Sequence, residues 1–266
     1  MHNLNNKVII LTGALGLVGK SLSEHLAKSN AKIIMLDVKN TKEIKKIRNF
    51  NFIKKNLFYY KCDVSNIRAL KKIEKKISSK FNKIDVLINA AAVSDAVENK
   101  PNPKFSMFEN FSLKDWNKSI SGNLNSMFLC SQIFGKKMLN QKKGSIINIS
   151  STYGIVGPDQ KIYTNKNLKH TFYKNPAYPT AKGAVISFTK YLAAYWGKKG
   201  IRVNSVSPGG IENKQNKLFI KKYSNKTLLG RMAKTEDLIG IIKLLCSDES
   251  SYITGSNMIV DGGWTT

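Results

Sequence analysis

A strand, a glycine turn and a helix start follow one another without a gap at the head of this chain, and that order restricts the fold more than any other feature. KVIILT (7–12) is a β-rich apolar run that reads as a buried strand. TGALGLVG follows at once and sets Gly13, Gly16 and Gly19 around Leu15, Leu17 and Val18. KSLSEHLAKSN comes next, with Leu22 and Leu26 at helical spacing. Glycines permit a tight turn and a close backbone approach. A helix N-terminus offers free N–H groups and a partial positive charge, so the unit suits the pyrophosphate of a dinucleotide. A second strand, KIIML (32–36), ends in Asp37. A carboxylate there accepts hydrogen bonds from an adenosine ribose and repels the extra phosphate of NADP. NAD is therefore the expected cofactor and NADP the lesser alternative, with Lys39 pulling the other way.

Strand and helix patterns alternate to the end of the chain. A lysine-rich helical stretch (41–49) precedes a strand at LFYYKC (57–62), which runs into Asp63 and Val64. A polar helix is expected over 66–80 and a buried strand over IDVLINAAA (84–92), which carries Asn89, Ala90 and Ala91. A long helix follows over 113–141, then a strand at GSIINIS (144–150) that delivers Ser151. The last elements are a helix over 176–198, a strand and turn at IRVNSVSPGG (201–210), a helix over 235–247 and a strand at NMIVDGG (257–263). This order implies an α/β fold: a Rossmann-type doubly wound parallel sheet in three αβα layers, as a single domain over 1–266. Ligands of such sheets bind at the carboxyl ends of the strands, where the glycine turn, Asp37, Asp63, Asn89 and Ser151 all fall.

Tyr178 and Lys182 stand four residues apart in YPTAK, so on a helix they share a face. A free phenol is a poor base at neutral pH, and a fixed positive charge beside it favours its phenolate. Ser151 supplies a hydroxyl to hold the oxygen of an alcohol or ketone. Together these groups make an acid–base device.

The 266 residues carry 44 Lys+Arg against 17 Asp+Glu, a net charge of +27. The lysines are spread along short runs such as KKIEKKISSK rather than gathered in one stripe, which argues against a nucleic-acid partner and for solvated faces. A positive field still attracts anionic substrates. No apolar stretch reaches 18 residues, so no membrane span is expected, and MHNLNNKVII lacks the apolar core of a signal peptide. Cys62, Cys130 and Cys246 are scattered, as are His2, His25 and His170, which argues against a disulfide framework or a metal site and for a cytoplasmic setting.

In sum the motifs closely resemble the short-chain dehydrogenase/reductase family, single-domain type, over essentially the whole chain. They run in order: TGALGLVG, Asp37, CDV, NAAA (89–92), NLNSMF with Asn123, ISSTYG with Ser151, YPTAK, RVNSVSPGG and VDGGW. The resemblance implies a nicotinamide-dependent oxidoreductase that interconverts a secondary alcohol and a ketone by hydride transfer. It implies Asn123, Ser151, Tyr178 and Lys182 as the catalytic set. Cofactor contacts would come from Gly13, Leu15, Gly16, Leu17, Val18, Gly19, Asp37, Asp63, Val64, Asn89, Ala90, Ala91, Tyr178, Lys182, Pro208, Gly209 and Ile211. Ser151 is preferred to Ser150 because the family serine is followed by two residues and a glycine, as in Ser151–Gly154.

Two features depart from the family pattern. The spacing TGxxGxxG resembles the nucleotide-sugar-modifying members, which keeps open an epimerase or dehydratase with tightly retained NAD. Beside it stand a non-catalytic NAD-binding protein and a nucleic-acid-binding one. Second, Ser151 and Tyr178 lie 27 positions apart, about double the family gap. The extra segment, 155–176, is either a surface decoration or part of a substrate wall or subunit contact. The loops 93–112, 155–176 and 210–230 would choose a small polar or anionic substrate, of the sugar or nucleotide-sugar type. By resemblance, 113–141 and 176–198 would pair across a homodimer or homotetramer.

Overall fold

The structure, a computed structural model, describes residues 3–93 and 103–266. Its strands are β1 (Val8–Thr12), β2 (Lys32–Asp37), β3 (Leu57–Lys61), β4 (Val86–Asn89), β5 (Gly144–Ile149), β6 (Ile201–Pro208) and β7 (Asn257–Val260). They form one parallel sheet in the order β3-β2-β1-β4-β5-β6-β7. The helices are α1 (Leu17–Lys28), α2 (Phe50–Ile53), α3 (Ile67–Lys80), α4 (Leu113–Ile120), α5 (Ser126–Gln141), α6 (Ala177–Trp196), α7 (Lys217–Ser224) and α8 (Ile239–Cys246).

Successive strand side chains point to opposite faces, and each face has its own core. Ile9, Leu11, Ile33 and Met35 pack with Leu22 and Leu26 of α1 and Ile242 and Leu245 of α8. Their chain neighbours Val8, Ile10, Ile34 and Leu36 pack with α3, α5 and α6 through Leu70, Ile77, Phe134, Met138, Leu192 and Trp196. Burial on both faces is why these strands read as continuous apolar runs rather than alternating ones. The result is the doubly wound Rossmann-type α/β arrangement expected from the alternation.

The chain runs from β1 outward to β3, then returns to β4 on the other side of β1. That reversal opens a crevice at the carboxyl ends of β1 and β4. Thr12 Oγ1 accepts from the backbone N–H groups of both Ala90 (3.1 Å) and Ala91 (3.0 Å) there. This turns the chain out of β4 earlier than the expected run to 92.

Other expected boundaries also move. The stretch 41–49 is not a regular helix but a 3₁₀ segment over Thr41–Lys46, capped by Asn40, with α2 behind it. Only Ile44 and Ile47 are apolar there, too few to hold a longer helix on the core. The helix expected over 113–141 is α4 and α5 joined by a π-turn over Ser121–Asn125. β7 stops at Val260 because Asp261 turns the chain, accepting from the N–H groups of Gly263 and Thr265 at 2.9 Å each. Helix α7 lies within the loop 210–230 and was not expected. Of the loop 93–112, residues 94–102 lie outside the described residues, as does His2.

Candidate active site

The glycine turn leaves no room for side chains. Gly13 has φ +64°, and a Cβ on it would lie 2.7 Å from Ala91 Cα. A Cβ on Gly19 would lie 2.1 Å from the Gly13 carbonyl oxygen. Gly16 starts α1, which has no side-chain cap and no acidic residue in its first turn. Its first N–H groups and the helix dipole thus lie at the end of β1 with no side-chain anion among the described residues bonded to them. These features fit a dinucleotide pyrophosphate. Leu15 is buried, Val18 packs on the core below, and Leu17 is exposed on the rim.

Asp37 ends β2 and is 7% exposed. Its Oδ2 accepts from Leu15 N–H at 2.8 Å and its Oδ1 from Lys39 N–H at 3.0 Å. Lys39 Nζ in turn donates to the Leu15 carbonyl at 3.1 Å. Asp37 and Lys39 together fix the turn, and a carboxylate has lone pairs beyond the two used here. A cavity of about 410 Å³ opens beside them, lined by Leu15, Gly16, Leu17, Lys20, Lys39 and Arg48 among others. Asp63, after β3, is exposed, and its Oδ1 accepts from Ser65 N–H at 2.9 Å; Val64 is buried. Asn89 turns inward and donates to Asn148 Oδ1 at 2.9 Å and Ser131 Oγ at 3.2 Å, tying β4 to β5 and α5. Past β6, Gly209 N–H donates to the Val260 carbonyl at 2.9 Å, and Ile211 bridges to Ala233. Pro208 accepts from Thr152 Oγ1 at 3.0 Å.

The candidate acid–base residues Tyr178 and Lys182 lie where α6 packs against the turn after β5. Tyr178 and Lys182 stand one turn apart on α6, whose start is held by Asn175 Oδ1 accepting from Tyr178 N–H at 3.0 Å. Lys182 is buried, and its Nζ donates to the Ile149 carbonyl at 2.8 Å while lying 5.7 Å from the Tyr178 ring centroid. Ser150 Oγ donates to the Lys182 carbonyl at 2.7 Å, so that hydroxyl is committed to the helix. Ser151 Oγ accepts from Tyr153 N–H at 3.2 Å and keeps its own proton to donate. A Cβ on Gly154 would meet the Lys182 backbone at 2.6 Å, so only glycine lets the serine turn sit this close to α6. Asn123 lies in the π-turn and is fully buried. Its Nδ2 donates to the Ser119 carbonyl at 2.9 Å, and its Oδ1 accepts no hydrogen bond from the described residues.

Burial pulls the Lys182 ammonium down to about 8. The unfolded chain binds more protons between that value and the ordinary 10.5, so stability rises with pH across this window. Below it the buried charge costs about 3 kcal/mol. Lys182→Met removes that cost but strands the Ile149 carbonyl, worth about 1 kcal/mol. Thermal unfolding at pH 7 should show the variant more stable by ~3 °C, with the gap closing toward pH 10.5. An unchanged or lower midpoint at pH 7 would show that the ammonium carries no such cost.

The segment 155–176 is not a loose decoration. Ile162 and Tyr163 bury with Tyr223 of α7 and Met232, and Phe172, Phe219 and Trp264 pack around them. Tyr153 and Tyr163 share a hydrogen bond at 2.9 Å, Lys222 Nζ donates to the Thr164 carbonyl at 2.8 Å, and Lys226 pairs with Asp159. Burial pushes the Tyr153, Tyr163 and Tyr223 phenols above their ordinary value, so they stay neutral. His170 stacks on Tyr173 with 4.2 Å between centroids. These aromatic groups were mostly missed from sequence, although Phe219 and Tyr223 keep helical spacing behind Asn216 as N-cap.

Comparisons with known proteins bear on the fold and the family. A family model described as enoyl-(acyl carrier protein) reductase matches residues 13–265. Dehydrogenase/reductase SDR family member 6 of Rattus norvegicus is 31% identical, covering 100% of each chain. An NAD-dependent glycerol dehydrogenase of Listeria innocua is 28% identical over 99% of this chain and 95% of its own. The crystal structure of a short chain dehydrogenase from Leptospira borgpetersenii with bound NAD⁺ superposes with a TM-score of 0.85 at 33% identity, covering 99% of this chain and 94% of that one. The chain belongs to the short-chain dehydrogenase/reductase family, whose members are nicotinamide-dependent oxidoreductases.

Proposed function

We propose that this chain is an NAD-dependent dehydrogenase that interconverts a secondary alcohol and a ketone on a polyol or sugar-type substrate. The observation that supports this reading is that α6, with Tyr178 and Lys182 one turn apart, packs against the Ser150–Gly154 turn after β5, at the same carboxyl edge of the sheet as the glycine turn after β1. The glycine turn and Asp37 would hold NAD, which would supply the hydride acceptor. Tyr178 takes the proton from the substrate hydroxyl, and Ser151 donates to the same oxygen as its charge develops. Lys182 favours the phenolate form of Tyr178 and would hold the nicotinamide ribose. Asn123 Oδ1, buried and without a donor among the described residues, is the acceptor for a relay water that returns the proton to solvent. Pro208, Gly209 and Ile211 would cover the nicotinamide end.

The polyol reading leans on the glycerol dehydrogenase and on a D-threitol dehydrogenase of Mycolicibacterium smegmatis that is 27% identical. A screen of polyols and sugar derivatives, followed by NADH absorbance, tests it; absence of NADH formation across both groups would remove it. Asp37 carries the cofactor choice: fluorescence titration should show NADH bound at least ~10-fold tighter than NADPH, because the extra phosphate would lie against a carboxylate. The reverse order would overturn that choice.

The remaining assignments are of the same kind. We read 1–266 as a single domain with the substrate wall at 155–176 and 210–230. Exposed Tyr191 and Tyr195 on α6, stacked at 5.9 Å, support pairing into a homodimer or homotetramer. No helix among the described residues is long and apolar enough to cross a membrane. Three buried free cysteines suit a cytoplasmic setting.

A further inference from the structure

Lys174 stands four positions before Tyr178, yet the two do not share a helix, since α6 starts at Ala177. The segment 155–176 brings them together instead, and three consecutive residues of it are held by hydrogen bonds, the first to a residue outside it and the second to one within it. Tyr173 N–H donates to Ser106 Oγ at 2.8 Å. Lys174 is clamped at both backbone groups by one side chain: its N–H donates to Gln160 Oε1 at 2.9 Å, and Gln160 Nε2 donates to its carbonyl at 3.1 Å. Asn175 is 2% exposed, and its Oδ1 accepts from Tyr178 N–H in the first turn of α6. Held this way, Lys174 Nζ lies 4.4 Å from the centroid of the Tyr178 ring, closer than Lys182 at 5.7 Å.

We propose that Lys174 is a positioning residue for the acid–base step: its ammonium, delivered onto the Tyr178 ring by the 155–176 segment, favours the phenolate and lets Tyr178 act as a base at lower pH than Lys182 alone permits. This rests on Tyr178 being the base. A cation over a ring face is attracted by the ring electrons, and more strongly once the ring oxygen is ionised. Among the described residues, the other titratable groups that couple to Tyr178 are Lys182 on its own helix, Tyr153 after β5, Tyr163 in the segment and Tyr223 on α7. The last three are phenols kept neutral by burial, so among the described residues the positive charge on the ring comes from the two lysines. Lys174 has a further interaction of its own, and the expected effect is modest. The segment folds back on itself so that Gln160 grips residue 174, 14 positions on.

The test uses the full chain with saturating NAD⁺, labelled with ¹³C at tyrosine Cζ, so that no substrate is needed. The Tyr178 resonance is the one missing from Tyr178→Phe. Lys174→Met should move the pH midpoint of that resonance up by ~0.5–1 unit, and Lys174→Arg, which keeps the charge, should return it to within ~0.2 unit of the parent. In turnover, the rise of kcat/KM with pH for alcohol oxidation should move to higher pH by the same amount, since the deprotonated phenol is the active form. NADH affinity should be unchanged in both variants. Identical midpoints in the parent and Lys174→Met would overturn the proposal, as would a parent resonance that does not titrate below pH 11. A raised KM with an unmoved pH profile would overturn it too and make Lys174 a substrate contact. Failure of the dehydrogenase reading itself would be seen separately, as product formed by the parent with no net NADH, whatever the Tyr178 midpoint.

Discussion

Tyr178→Phe is expected to lower turnover by ~10³-fold or more while leaving NADH affinity within ~2-fold. The substitution removes one oxygen from a half-buried ring and keeps the ring's packing. No hydrogen bond to the Tyr178 hydroxyl from described residues holds the fold, and the contact that fixes the start of α6 is made by the Tyr178 backbone N–H to Asn175. The loss therefore falls on proton transfer alone. Ser151 would still polarise the substrate oxygen and bound NAD would still accept hydride, which is why some residual rate is expected. Steady-state turnover and a fluorescence titration of NADH separate the two effects. Turnover within tenfold of the parent would mean that another group takes the proton.

Gly19→Ala should lower NADH affinity by at least ~100-fold and destabilise the chain by about 3 kcal/mol. The added Cβ would meet the Gly13 carbonyl oxygen at 2.1 Å and Ala14 Cα at 2.7 Å. Both are backbone atoms of the turn itself, and the turn is tied to β2 by Asp37 and Lys39 and to β4 through Thr12. No side chain is present to swing aside, so α1 has to lift off β1, and its N–H groups leave the crevice. Gly240→Ala is the control. Gly240 lies in α8 with open space around it, so alanine there should stabilise by about 0.5–1 kcal/mol and leave NADH binding alone. Equal affinity in Gly19→Ala and the parent would show that the turn does not cradle the cofactor.

The sheet was legible because its strands are buried on both faces. Runs such as VIILT and KIIMLD have no polar alternation to confuse with a surface strand, and each is followed by the residue that matters at its carboxyl end. The glycine turn was legible for a related reason: Gly13 and Gly19 stand where any side chain collides with backbone. Elements whose partners are remote in sequence were not. Helix α7 buries Phe219 and Tyr223 against Tyr163 and Trp264 rather than against the sheet, so KLFIKKYS looks like a polar loop. The π-turn that sets Asn123 is a hydrogen-bonding choice inside a helix, and its residues SGNLN carry no periodic sign of it. The approach of Lys174 to Tyr178 depends on Gln160 gripping a residue 14 positions away, which no spacing rule discloses. The stretch 41–49 failed in the opposite sense. Its lysines favour helix, but two apolar residues could not hold one to the core.

The most direct measurement of the central claim is the amount of NADH formed per ketone produced over many turnovers with a reactive polyol or sugar alcohol. One NADH released for each ketone, lost together in Tyr178→Phe, is the result expected of a dehydrogenase built on Tyr178, Lys182 and Ser151. Product accumulating with no net NADH would contradict it and point to the epimerase or dehydratase chemistry that the TGxxGxxG spacing left open.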